Sequence, residues 1–249
     1  MLFSIITVTY NAEKVLERTI LSVLNQTYSQ VEYIIVDGNS SDKTKAIIEQ
    51  YAFAISRRIS EPDSGLYDAM NKGLRMATGD YVWFLNAGDT LHSKTTIEEV
   101  VRSIPLATNF PDIIYGETSL TNMDEKFIAA RRLKAPKSLT WRSFSKGMMV
   151  CHQSFIVRRS IAPAYSLRYS LVADFDWCIR CLRQAKYVHN THLILSNFLV
   201  GGLSSQKRKA SLKERFRIMS HYYGALPTAI RHVWFALRFY TAKLFGRQI

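Results

Sequence analysis

Residues 3–37 read FSIITVTYNAEKVLERTILSVLNQTYSQVEYIIVD, and this stretch decides the fold. Phe3–Thr9 is a continuous apolar and β-branched run, the pattern of a strand buried on both faces. Ala12–Asn25 places Leu16, Ile20, Val23 and Leu24 at helical spacing, with Asn11 as its expected N-cap. Tyr33–Val36 is a second buried strand, ending at Asp37-Gly38. Strand, helix and strand joined by short turns form a βαβ unit, which implies a parallel sheet.

Downstream the alternation continues. Ser41–Tyr51 predicts a helix, Ala54–Ile59 a weaker strand, and Leu66–Ala77 a helix stopped before Gly79. DYVWFL at 80–85 predicts a third strong strand, followed by Asn86-Ala87-Gly88-Asp89. Thr95–Ile104 predicts a helix, and Ile113–Tyr115 a short strand. Beyond residue 120 the pattern loosens. Strands are expected at Lys126–Arg132 and Ser154–Val157, and helices at Leu139–Ser145, Phe175–Gln184, Leu212–Tyr223 and Pro227–Phe245, with a loop over 201–206. The expected fold class is α/β: a mostly parallel central sheet flanked by helices, with a C-terminal helical extension.

Three expected strands end in polar turns: Tyr10-Asn11, then DGNSSD from Asp37, then NAGD to Asp89. In open α/β sheets the ligand crevice lies beyond the carboxyl ends of the strands. Asp37 can accept hydrogen bonds from a ribose hydroxyl or a base N–H; an Asx turn is the alternative. Asp89 can hold Mg2+ or Mn2+ against a diphosphate, since such ions take one or two carboxylates plus phosphate oxygens; a turn aspartate is the alternative. Asp174 can serve as a general base or cap a helix, and Asp176 is expected to pair with a neighbouring arginine. His152, before a strand-like run, joins the substrate-binding candidates.

The charge is divided. The chain has 249 residues and a net charge of +13. Residues 1–125 carry 10 Lys+Arg and 17 Asp+Glu; residues 126–249 carry 23 Lys+Arg and three acids, Asp174, Asp176 and Glu214. A basic half suits phosphates on lipid, nucleotide or nucleic acid. Cys151, Cys178 and Cys181 cannot all pair, and the CxxC lacks a second pair for zinc, so reduced core thiols are expected. The N-terminus lacks a basic segment before its short apolar run, and no apolar stretch is long enough to span a bilayer. In the last helix Ile230, Val233, Trp234, Leu237, Tyr240 and Leu244 share one face, with Phe235 and Phe239 nearly opposite and basic residues between. That pattern suits an interfacial membrane helix, or one packed between the core and a second copy.

Three ordered segments carry a family resemblance: SIITVTYNAEKVLERTILSVLNQTY, EYIIVDGNSSDKT and EPDSGLYDAMNKGLRMATGDYVWFLNAGD. They resemble the inverting family 2 glycosyltransferases of the GT-A fold, typified by enzymes of bacterial capsule, O-antigen and colanic-acid assembly. The likeness is dense over residues 3–90 and continues through CHQSFIVRR and ADFDWCIRCL. The resemblance implies that Thr9 and Tyr10 border the base pocket, Asp37 binds uracil or ribose, and Asp63 lines the donor site. It also implies that Asp89 is the last aspartate of the metal motif and Asp174 the catalytic base. Asn86 and Gly88 stand where acids are common in that motif, and Ala173 where a glutamate is frequent. The implied division is a glycosyltransferase domain over 1–205 (nucleotide-sugar half 1–120, acceptor half 121–205) and basic amphipathic helices over 206–249.

The implied partners are a nucleotide-sugar donor, UDP-linked by family habit, a polyprenyl-diphosphate-linked glycan acceptor and an anionic membrane surface, with no nucleic acid. The implied location is the cytoplasm, on the inner face of its membrane. A nicotinamide-dependent oxidoreductase would need a Gly-rich turn where Thr9-Tyr-Asn-Ala-Glu13 stands. A nucleotidyltransferase would need a Gly-rich basic loop near the N-terminus. The remaining alternative is a non-catalytic nucleotide- or anionic-lipid-binding protein on the same fold.

Overall fold

β1 (Phe3–Thr9) pairs in parallel with β2 (Val31–Asp37), Thr9 standing beside Asp37, and α1 (Leu16–Leu24) crosses between them. The structure is a computed structural model; it describes residues 1–105, 109–201 and 207–244, with side chains as far as residue 237. The chain continues with α2 (Thr44–Gln50), β3 (Arg57–Ser60), α3 (Leu66–Met76), β4 (Tyr81–Phe84), β5 (Thr90–Leu91) and α4 (Thr96–Ser103). β6 (Ile113–Thr121), β7 (Phe127–Ala130), β8 (Phe155–Arg158), α5 (Ala173–Gln184) and β9 (Val188–Leu199) follow. The hairpin of α6 (Arg208–Tyr223) and α7 (Ala225–Leu244) completes the described chain.

The sheet runs β3-β2-β1-β4-β8-β6-β9-β5, with β7 paired to β6. The first four strands are parallel, as the βαβ reading predicts. β8 enters antiparallel between β4 and β6, and β9 returns parallel to β6. β1, β2, β3, β4, β6 and β9 therefore all point the same way, and their carboxyl ends gather at one edge.

Period-two alternation divides the core. Ile6, Val8, Ile34, Val36, Val82 and Phe84 face the layer containing α3, α5 and part of α6. Phe3, Ile5, Tyr33, Ile35, Tyr81 and Trp83 face the layer of α1, α2 and α4. Each strand is apolar throughout because both of its faces are covered. α1 buries Leu16, Thr19, Ile20 and Val23, one stripe at helical spacing.

Several expectations are corrected. Asn11 does not cap α1: the helix begins at Leu16 without a side-chain cap. Instead Asn11 adopts φ +47° and its Oδ1 accepts the Ser41 N–H at 2.9 Å, joining the loops after β1 and β2. Asp174 does not cap α5 either; it lies inside the first turn, after Val172. The segment at 139–145 forms a 3₁₀ turn, Trp141–Lys146, with a Thr140–Ser143 capping box. β9, twelve residues long, was not anticipated. The loop over 201–206 lies outside the described residues apart from Gly201, as does Phe245. Cys151, Cys178 and Cys181 are free thiols, and Asp176 pairs with Arg180 at 2.7 Å, both as expected.

Candidate active site

Thr9, Asp37 and Ser60 are register neighbours at the carboxyl ends of β1, β2 and β3. Asp37 is fully buried. Its Oδ2 accepts the Ser40 N–H at 3.0 Å and the Ser60 hydroxyl at 2.6 Å, and its Oδ1 accepts the Ser40 hydroxyl. Asp37 therefore anchors its own turn, with lone-pair capacity left on Oδ1. Thr9 Oγ1 is buried with no partner among the described residues.

Gly38 follows, and a side chain in its place would displace the Asp63 carboxylate. A Cβ there would lie 2.4 Å from Asp63 Oδ2 and 3.3 Å from the Tyr10 ring. Tyr10 is exposed, while Asp63 accepts the Gly65 N–H at 2.8 Å through its other oxygen. The structure thus gathers Thr9, Tyr10, Asp37 and Asp63 around the turn at Gly38.

Asp89 lies one strand over, in the turn after β4, where Gly88 takes φ +101°. Its carboxylate is buried and doubly bonded: Oδ1 accepts the Leu199 N–H at 2.9 Å and Oδ2 accepts Gln153 Nε2 at 2.8 Å. Burial pushes this carboxyl up to about 7, outweighing the two hydrogen bonds and nearby Arg18. In the same turn Asn86 Oδ1 is buried without a partner. No group of three or more His, Cys, Asp or Glu side chains arranged to hold a metal occurs among the described residues. An oxygen pair of this kind still fits a hard divalent ion, because such ions complete their shell with water and phosphate oxygens. The orphaned amide oxygen is the observation that favours the fit.

Asp174 opens α5, and its Oδ1 accepts the Tyr67 hydroxyl at 3.1 Å. Tyr67 stacks on Tyr165 at 5.6 Å, and Tyr165 stacks on Trp177 at 4.9 Å. His152 is enclosed among Phe84, Tyr165 and Trp177, with Nε2 2.6 Å from the Tyr165 hydroxyl. Burial pushes its imidazole down to about 4, against an upward pull from Asp174. His152 therefore lies in the buried aromatic packing that seats Tyr67. Arg215 of α6 lies over Phe175 at 5.6 Å; burial lowers its pKa, Asp174 opposes that shift, and its Nε has no partner among the described residues.

The Cys151 thiol donates to Gln153 Oε1 at 2.9 Å. Burial raises its thiol pKa, Arg131 lowers it, and Asp89 and Asp174 both raise it. Contacts link the two acids: Gln153 bonds Asp89, its neighbour His152 bonds Tyr165, and Tyr165 stacks on Tyr67, the partner of Asp174. Asp37 joins them through the Asp63 segment, which leads into α3 and Tyr67. Tyr67, Gln153 and Arg215 were not singled out from the sequence. Tyr67 lies within the EPDSGLYDAMNKG segment and Gln153 within CHQSFIVRR, but nothing local marks Arg215. The cavity of ≈ 620 Å³ lies elsewhere, bordered by Val188 at the start of β9 and so at the opposite sheet edge.

The glycosyl transferase family 2 model matches residues 4–165. A PGL/p-HBAD biosynthesis glycosyltransferase of Mycobacterium tuberculosis (strain ATCC 25177 / H37Ra) is 33% identical over 214 residues, covering 82% of this chain and 79% of that protein. TuaG of Bacillus subtilis (strain 168), whose name ties it to teichuronic acid biosynthesis, is 31% identical and covers 86% of both chains. Among solved structures, S. aureus TarS 1-349 in complex with UDP superposes with a TM-score of 0.68 at 17% identity, over 88% of this chain and 64% of that one. This chain therefore spans slightly less than two thirds of that structure. A mannosyltransferase from Pyrobaculum calidifontis in complex with GDP-Man and Mn2+ gives 0.62 at 14% identity, over 94% and 75%. At such identities the likeness to solved structures is one of fold.

Proposed function

The chain belongs to glycosyl transferase family 2 and has the GT-A fold, and we propose that it moves a sugar, with inversion, from a UDP-sugar to a hydroxyl of a lipid-linked glycan in bacterial surface polysaccharide assembly. The observation that carries this reading is the placement of Asp174, held by Tyr67 and linked to Asp89 through Tyr165, His152 and Gln153.

In this proposal Tyr10 and Asp63 flank the nucleotide base at Gly38, Thr9 Oγ1 gains its missing partner there, and Asp37 holds the turn and offers its spare Oδ1 lone pair. Asp174 accepts the proton of the acceptor hydroxyl as that oxygen attacks the anomeric carbon. The bond to the nucleoside diphosphate breaks on the opposite face, and its electron pair leaves with the diphosphate. Asp89 and Asn86 Oδ1 would hold a Mg2+ or Mn2+ ion, which would supply positive charge to offset that of the leaving group. Arg215 adds a fixed positive charge on the Asp174 side. His152 acts from beneath, through Tyr165.

We assign the acceptor to a membrane. No helix among the described residues is long and apolar enough to cross one. Leu226, Ile230, Val233, Trp234 and Leu237 nevertheless form an exposed apolar stripe on α7. The 206–249 region then serves as a peripheral contact with the inner face of the cytoplasmic membrane. It is not a detached tail, since Ile218 and Met219 are buried in the core.

The test is a thermal-shift screen of nucleotide sugars with and without Mn2+, followed by turnover of Asp174→Asn. One UDP-sugar is expected to stabilise the fold by mass action. Asp174→Asn is expected to keep that stabilisation and lose turnover by about 10²–10⁴-fold. Near-normal turnover in that variant would remove Asp174 from its role, and indifference to every nucleotide sugar would end the donor assignment.

A further inference from the structure

The ≈ 620 Å³ cavity at the sheet edge remote from Asp89 is lined by Lys137, Arg142, Arg183 and Lys186, together with Trp141 and Tyr187. Its size lies within the range of small-molecule sites and exceeds the needs of a bare ion. Among the described residues none of the four cations forms an ion pair. Asp112 is held nearby through the Lys186 and Tyr187 N–H groups, but it is engaged there and by Arg158. The other acids of the basic half are engaged as well. Asp174 meets Tyr67, Asp176 meets Arg180 and Tyr222, and Glu214 accepts from Ser170, Leu171 and Val172.

The cavity adjoins the apolar stripe. Trp141 carries Arg142 at 5.3 Å and Arg183 at 5.8 Å from its ring. It also stacks in parallel on Tyr223, at 5.6 Å and 5°. The Tyr223 hydroxyl donates to the Trp141 carbonyl. Tyr223 ends α6, and Leu226, the first member of the exposed stripe on α7, follows three residues later. A cluster of positive charge thus lies next to a helix face that none of the described residues covers.

We propose that this cavity binds the phosphate headgroup of an anionic phospholipid while α7 lies in the bilayer interface. The inference rests on the membrane contact proposed above and names its chemical partner. Headgroup phosphate supplies the charge that the four cations lack, and the acyl boundary covers Leu226, Ile230, Val233, Trp234 and Leu237. A second copy is a poorer occupant. Glu214 is the single acid over residues 207–249 and is already engaged, so two such faces would bring like charges together.

The test uses the full chain and sedimentation with phosphatidylcholine vesicles, with and without phosphatidylglycerol. The cavity variant carries Lys137→Gln, Arg142→Gln, Arg183→Gln and Lys186→Gln. An equal-charge control carries Lys207→Gln, just before α6, with Lys209→Gln, Lys213→Gln and Arg217→Gln on it. All eight side chains are exposed, so melting temperatures are expected to hold. The expected result is binding to phosphatidylglycerol vesicles that falls at least about tenfold further in the cavity variant than in the control. Equal losses would reduce the effect to diffuse charge and overturn the cavity, while leaving the membrane contact standing. Absence of wild-type binding to any vesicle would sink both. Dimerisation in light scattering, abolished by Ile230→Gln with Trp234→Gln, would assign the face to a second copy. Stabilisation by soluble glycerol phosphate without a vesicle preference would assign the cavity to a free ligand. Either of the last two results overturns the proposal.

Discussion

The Tyr67 hydroxyl donates to Asp174 Oδ1 at 3.1 Å across 107 residues of sequence. This bond joins the first turn of α3, which follows the Asp63 segment, to the first turn of α5. It fixes the direction of the carboxylate and, in the proposed function, does so from the donor side. Tyr67→Phe removes the bond and keeps the ring stacked on Tyr165. Turnover is expected to fall about tenfold with donor affinity unchanged, because the loss is one of orientation. Stability should fall by about 1 kcal/mol, the net worth of one hydrogen bond. A fall in donor affinity with unchanged turnover would place Tyr67 in the donor pocket instead.

Gly38→Ala tests the nucleotide end. The added Cβ would lie 2.4 Å from Asp63 Oδ2, so the carboxylate must move. Donor affinity is expected to fall about tenfold while the melting temperature changes little. Asp63→Asn should weaken the same affinity, and the double variant should lose less than the two separate losses combined, as contacting residues do. Full additivity by calorimetry would separate the two residues functionally.

His152 makes stability depend on pH. Its folded-state pKa lies near 4, below the ordinary 6.5, because burial disfavours the imidazolium. Below pH 6.5 the unfolded chain takes a proton that the folded chain refuses, so this contribution is lost as pH falls from 6.5 to about 4. The loss reaches about 3 kcal/mol in the limit of that shift. Urea melts across this window should show a shallower acid-side decline in His152→Gln than in the wild type. Parallel curves would refute it.

Divalent cation should matter to donor binding rather than to the fold. Mn2+ is expected to enlarge the thermal stabilisation given by the donor, and chelation to remove that increment. Asp89→Asn should lose the increment and keep residual stabilisation through the Gly38 turn. An unchanged increment in Asp89→Asn would place the ion elsewhere.

Much of the frame was legible in residues 3–90. Apolar runs at β1, β2 and β4 announced strands covered on both faces, and the structure divides their side chains between two layers as period two requires. β9 was hidden. Its sequence VHNTHLILSNFL mixes polar and apolar residues; it pairs parallel to β6, and its last residue, Leu199, reaches Asp89 across 110 residues only after folding. Asn11 looked like a helix cap because its residue type suits one; a contact with Ser41 across 30 residues took it instead.

Local rules act over a turn or a strand, and they fixed the βαβ alternation, the turn residues and the separation of an acidic half from a basic one. Tertiary packing decided that Asp37 and Asp89 would be buried and hydrogen-bonded, that Tyr67 would meet Asp174, and that four cations would gather beside α7. Such meetings depend on loop closure, strand order and desolvation. Their energies arise between residues many tens of positions apart, and no short window of sequence contains both partners.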